Sequence, residues 1–259
     1  MEYIIKLYIF IIGITFGSFF NVCIFRIPNN QSISNPPSHC YNCNTRLKSL
    51  DLVPILSWTF LKGKCRHCGQ NISIRYPLIE LLTGILFVLI YNVYGLDIIT
   101  INYLVLTSLL IIITFIDIDH YIIPNGIIIF GSIFALLFNL TGQGIGLKDS
   151  ILGAVICGGV MLILIHLIEL IVKKEVMGGG DIKLFAMIGL FLGLQGGLLT
   201  IMISIYVGAI YGIIIIVVSK IRKKEYNSMI PYGPFIAVGA LITTLYGNDI
   251  INWYINMLS

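Results

Sequence analysis

The chain has 259 residues, 58% of them hydrophobic and 11% charged, with a formal net charge of +4; its mean hydropathy is +0.97. That composition excludes a water-soluble globular domain and reads as a chain that lives in lipid. The small positive charge fits cytoplasmic loops and anionic headgroups, and it implies no nucleic-acid partner.

A bilayer core takes roughly 20 apolar residues per helix. Apolar runs bounded by charges, Pro or Gly lie near Tyr3 to Phe25, Leu78 to Tyr94, Ile98 to Ile116, Ile127 to Leu140, Ile151 to Val172, Ile182 to Gly193, Leu198 to Ser219 and Pro231 to Tyr246. They predict an all-α polytopic membrane protein of about eight transmembrane helices, the fourth and sixth being short. The first run carries Glu2 at its start and reaches Arg26 without a small-residue cleavage site, so it reads as a retained span and not as a removed signal peptide. Residues 26–77 are the one stretch polar enough to fold outside the membrane. The expected division is a first transmembrane helix at 1–25, a cytoplasmic module at 26–77 and a transmembrane bundle at 78–259.

Orientation follows from Lys and Arg, which collect on the cytoplasmic side. The first loop holds Arg26, Arg46, Lys48, Lys62, Lys64, Arg66 and Arg75; later loops hold Lys173, Lys174 and Lys183, then Lys220, Arg222, Lys223 and Lys224. With eight spans and the N-terminus outside the cell membrane, all of these share one face, and Lys6 and Lys148 alone lie on the other.

The polar module contains Cys40-Tyr41-Asn42-Cys43 and Cys65-Arg66-His67-Cys68. Two Cys-x-x-Cys pairs at this separation match a tetrahedral four-thiolate zinc knuckle. Two disulfides are the competing reading, which a reducing cytoplasm disfavours. His39 and His67 flank the ligands, but four cysteines already complete the shell. With so few large apolar residues, the module needs the metal for folding, so the zinc reads as structural, with no open position for catalysis. Cys23 and Cys157 sit inside apolar runs and read as packing.

Acids at membrane depth are functional candidates by default: Asp117, Asp119, Asp181, Glu80 and Glu169. On a helix, residues two apart point in nearly opposite directions, so of Asp117 and Asp119 one faces a neighbouring helix and the other is peripheral. Asp181 closes Met177-Gly178-Gly179-Gly180-Asp181. Consecutive glycines discard helical stability, which suits a backbone that receives an extended peptide; a flexible hairpin whose Asp caps the next helix reads equally well. Taken together, two acids at the cytoplasmic ends of two helices suggest a pair in which one carboxylate activates water while the other, protonated, polarises a scissile carbonyl.

These residues resemble the type IV prepilin peptidases, membrane aspartyl proteases with a Gly-x-Gly-Asp motif. Gly17-Ser18-Phe19-Phe20-Asn21-Val22-Cys23-Ile24-Phe25-Arg26-Ile27-Pro28 is similar to the family's amino-terminal signature. The cysteine module, Asp51 to Trp58, Arg75-Tyr76-Pro77-Leu78-Ile79-Glu80 and Pro231-Tyr232-Gly233-Pro234-Phe235 follow its other motifs. The resemblance implies Asp117, which opens the stretch running to Ile123-Pro124-Asn125, and Asp181 as the catalytic pair. It also implies cleavage of a short basic leader from prepilins or pseudopilins at the cytoplasmic face, then N-methylation of the new terminus with S-adenosylmethionine. The amino-terminal half is implicated in methylation, with Asn21, Arg26 and Glu80 as candidates for the methyl-donor site, Asn21 and Arg26 reading equally as parts of a structural interface. Asp119, Glu80 or Glu175 could attract the leader's cations, although Glu80 could equally pair with Arg75 or Arg26. Glu169 and Lys173 have ion-pair spacing, His166 reads as interhelical packing, and His120 either tunes Asp117 or lies in solvent. A transporter would show related halves, and a zinc protease would need His-Glu-x-x-His; neither pattern is seen.

Overall fold

A computed structural model describes residues 1–173, 177–222 and 230–258, with nothing given for the side chains of Arg222 and Leu258. Lys174, Glu175, Lys223 and Lys224 lie outside the described residues. The apolar runs are helical: α1 (Glu2–Arg26), α3 (Arg75–Tyr94), α4 (Ile98–His120), α5 (Asn125–Leu140), α6 (Leu147–Val172), α7 (Gly179–Arg222) and α8 (Gly233–Leu258). A 3₁₀ turn (Ser49–Leu52) and the short helix α2 (Leu56–Phe60) interrupt the polar segment.

Among the described residues, six helices are long and apolar enough to cross a membrane: α1, α3, α4, α6, α7 and α8. The sequence suggested about eight spans. The difference arises because α5 has only 16 residues, and because the sixth and seventh runs follow one another directly across a break inside the 44-residue α7. No polar loop separates those two runs. A single residue breaks the helix, Gly193, at φ 70° and ψ −170°.

The chain forms two compact units, Met1–Leu96 and Asp97–Ser259. The first unit includes α3. In this unit α1 packs on α3 along small residues. A Cβ at Gly13 would come within 2.7 Å of Gly84 Cα, and one at Gly17 within 2.7 Å of Glu80 Cα. This is the close helix approach that a small-x-x-x-small stripe permits in lipid, where packing has to replace the hydrophobic effect.

In the second unit α7 packs against α5, α6 and α8, and α4 against α5, α7 and α8. The kink at Gly193 has a local partner set. The carbonyl of Leu190 accepts from Ser150 Oγ at 2.8 Å and from Asn139 Nδ2 at 3.1 Å, all of it buried. A helix that turns aside leaves carbonyls without their usual amides, and in lipid these have to be satisfied by protein. Above this node Gly153 and Gly189 meet backbone to backbone, each where the other's carbonyl would meet a Cβ.

Candidate functional site

Asp117 lies in the last turn of α4. Tyr121 ends that helix in the left-handed region, at φ 56°, and its N–H bonds to the Asp117 carbonyl at 2.9 Å. The chain then runs extended through Pro124 into α5. Asp117 is 5% exposed, whereas Asp119 and His120 are exposed; one acid of the pair points inward and the other outward, as helical geometry requires. The inward carboxylate is gripped by backbone: Gly233 N–H, at the start of α8, donates to Asp117 Oδ2 at 2.7 Å.

Asp181 occupies the first turn of α7, where a negative charge is favoured by the helix dipole. It is 8% exposed, and its N–H bonds to the Gly178 carbonyl at 3.1 Å. Two contacts bring this segment to the one that follows Asp117. A Cβ on Gly180 would come within 3.1 Å of Ile123 Cβ, and Lys183 Nζ donates to Asn125 Oδ1 at 2.9 Å. The charge of Asp117 acts on Asp181. Both acids are therefore buried in the same unit within electrostatic reach, and the glycines leave backbone uncovered beside them.

In the first unit the four cysteine sulfurs lie within 4.8 Å of one another, and none is in a disulfide. Cys40 and Cys68 Sγ are 3.8 Å apart, close to the roughly 3.8 Å edge of a tetrahedron with zinc–sulfur bonds of about 2.3 Å. The two knuckles repeat one hydrogen-bond pattern. Cys40 N–H bonds Thr45 O and Asn44 N–H bonds Cys40 O, while Cys65 N–H bonds Gln70 O and Gly69 N–H bonds Cys65 O. Asn44 and Gly69 hold the matching left-handed positions, φ 51° and 72°. The Thr45 hydroxyl, 3.3 Å from Cys43 Sγ, together with the Thr45 amide draws the Cys43 thiol down to about 6, and the thiolate is the form a metal takes. This donor set fits a tetrahedral ion.

Asn21, Arg26 and Glu80 line one cavity of about 270 Å³ in this unit. Asn21 donates to the carbonyls of Gly17 and Tyr76, each at 3.2 Å. Arg26 donates to Ser32 O at 2.9 Å and Pro36 O at 2.7 Å. Glu80 accepts from Ile55 N–H at 2.7 Å and from the Ser18 hydroxyl. Cys23 and Cys157 are buried packing residues, but His166 is exposed and not packed between helices.

A family model described as the bacterial peptidase A24 N-terminal domain matches residues 11–94, and one described as the type IV leader peptidase family matches residues 104–213. Among curated proteins, the prepilin leader peptidase/N-methyltransferase of Bacillus subtilis (strain 168) is 37% identical, over 96% of this chain and 97% of that protein. Proteins of the same name from Aeromonas salmonicida (strain A449) and Neisseria gonorrhoeae are 34% and 32% identical, over 96% and 95% of this chain and 94% and 93% of theirs. The chain belongs to the type IV leader peptidase family. It is an enzyme, a multi-pass membrane peptidase. No solved structure matches it.

The first family match falls within the first compact unit, and the peptidase match takes in both Asp117 and Asp181. Gly233 lies beyond it. The sequence carries Pro231 to Phe235 as a family-like motif, but nothing in it marks the Gly233 amide as a ligand for Asp117, because a backbone donor leaves no side-chain signal to read.

Proposed function

We propose that the peptidase cleaves the basic leader of type IV prepilins or pseudopilins by aspartyl chemistry at Asp117 and Asp181, on the cytoplasmic face of the bacterial cell membrane. The observation that carries this reading is the burial of both acids in one unit, within electrostatic reach, beside glycine backbone. One carboxylate, ionised, takes a proton from water; the other, protonated, donates to the scissile carbonyl and then returns its proton to the leaving amine. Gly233 N–H fixes an oxygen of Asp117, which orients that carboxylate without another charge. Gly178 and Gly179 leave room for the extended substrate backbone, and exposed Asp119 attracts the leader's cations.

The processed terminus is then N-methylated, as the relatives' name implies, and S-adenosylmethionine supplies the methyl group. Cys40, Cys43, Cys65 and Cys68 hold a structural zinc that organises the cytoplasmic module at 26–77. The bundle from 78 crosses the bilayer with α5 and both halves of α7 as separate spans, making about eight with α1. The positive-inside distribution supports an external N-terminus.

The test is cleavage of a purified prepilin that carries its leader. Asp117→Asn and Asp181→Asn are each expected to lower the rate by at least about 10³-fold, since neither amide can hold or accept the proton. Cleavage within a few fold of wild type in either variant would falsify the assignment. Mass spectrometry of the new terminus reports the cleavage position and the added methyl group together.

A further inference from the structure

Arg26 and Glu80 are each more than nine-tenths buried, at 5% and 7% exposure, and both line the cavity in the first unit. Burying a charge is costly unless it is compensated. Here the partners are neutral: Arg26 is held by two backbone carbonyls and the Tyr41 hydroxyl, and Glu80 by a backbone amide and a hydroxyl. A guanidinium carries five N–H donors, so two carbonyls and one phenol oxygen leave it donors to spend. The cavity wall adds Tyr41, Trp58 and Tyr76. Trp58 is fixed by its Nε1–H bond to Ile72 O at 3.0 Å and by the close approach of Gly63 to its ring. One chamber therefore offers a buried cation, a buried anion and aromatic faces, which is complementary to a ligand that is itself zwitterionic and carries a further soft cation or a flat ring.

We propose that this cavity binds S-adenosylmethionine: Arg26 takes the carboxylate of its amino-acid end, Glu80 takes the ammonium, and the aromatic wall faces the sulfonium and the nucleoside. The assignment rests on the N-methyltransferase reading above. It gives the buried charges of the first unit a ligand that supplies both missing partners at once.

The chain contains two tryptophans. Trp253 is 65% exposed, so Trp253→Phe makes Trp58 the sole reporter in the otherwise intact protein. Two probes are titrated: S-adenosylhomocysteine, which keeps the amino-acid end, and 5′-methylthioadenosine, which lacks it. The expected result is a saturable change in Trp58 fluorescence with the first, at least tenfold weaker binding of the second, and at least tenfold weaker binding of S-adenosylhomocysteine in Arg26→Gln and Glu80→Gln. The comparison of the two probes needs no variant of the site to fold. Equal affinity for both, or saturable binding by equilibrium dialysis with no change at Trp58, overturns the proposal while leaving methyl transfer intact. No binding by dialysis together with an unmethylated pilin product removes both the site and the reading it rests on.

Discussion

The two compact units solve the same problem, holding polar groups in place, in opposite ways. In the first unit most clamps are side-chain donors on backbone carbonyls: Arg26 takes two, Asn21 two more and Trp58 another, while Glu80, like Asp117, is held by an amide. In the second, backbone clamps a side chain, as Gly233 N–H holds Asp117, and glycines rather than large residues frame Asp181. A loop-rich module with little apolar core needs cross-links from polar side chains, to which the proposed metal would add. A site that has to admit a peptide backbone needs space, and it orients its acids with groups that occupy none.

The largest effect should come from breaking the cross-links of the first unit. Replacing Cys40 and Cys43 together by Ser is expected to abolish metal binding, with a loss on the order of 10 kcal/mol of metal-linked folding energy. Elemental analysis and limited proteolysis between residues 26 and 77 measure it; a module that keeps its protease resistance without metal would show that the side-chain clamps suffice.

Next is the backbone grip. In Gly233→Ala the added Cβ would meet Asp117 Oδ2 at 2.8 Å and displace it, so cleavage should fall by about 10²-fold, the cost of a roughly 1 Å misplacement. Unchanged thermal unfolding alongside that loss would mark the effect as one of orientation, and undiminished cleavage would show that the grip is dispensable.

Gly189→Ala should act on the bundle itself. Its Cβ points at the Gly153 carbonyl with no flexible side chain to yield, and overpacking of this kind costs about 1–3 kcal/mol. A lowered unfolding midpoint for the detergent-solubilised protein is expected, and an unshifted midpoint would mean that α6 and α7 can separate at little cost.

The smallest effect concerns Asp51, whose burial alone would raise its carboxyl. The Arg66 guanidinium at 2.7 Å and Lys48 N–H at 3.2 Å outweigh this and hold it below the ordinary range. A depressed carboxyl stabilises the fold above its unfolded value, and the contribution is lost as the pH falls below about 4. A double-mutant cycle of Asp51→Asn with Arg66→Gln should give a coupling under about 1 kcal/mol at pH 7 that fades in acid.

The four cysteines were legible because their chemistry sits in side chains at a fixed spacing, and the structure brings their sulfurs together; Asp117 and Asp181 were singled out by the family resemblance and not by spacing alone. Helix geometry also separated Asp117 from Asp119. What could not be read was backbone chemistry and long-range satisfaction. Glu80, weighed as a partner for cations, takes the Ile55 amide, because α3 and the loop meet only after folding. The Asn139, Ser150 and Leu190 node depends on a kink that no residue type announces, since most glycines in this chain do not break a helix.

The shortness of α5 has a consequence for the reagents of hydrolysis. Its 16 residues rise about 24 Å at about 1.5 Å each, and the α7 segment that bears Asp181 ends at the Gly193 kink after a still shorter climb. Hydrocarbon is about 30 Å thick, and a bilayer meets such hydrophobic mismatch by thinning around the helices. Under the proposed topology and chemistry, headgroups and their water would dip toward the two carboxylates, so that the membrane's own deformation would deliver the nucleophile and shorten the distance over which a pilin helix must unwind.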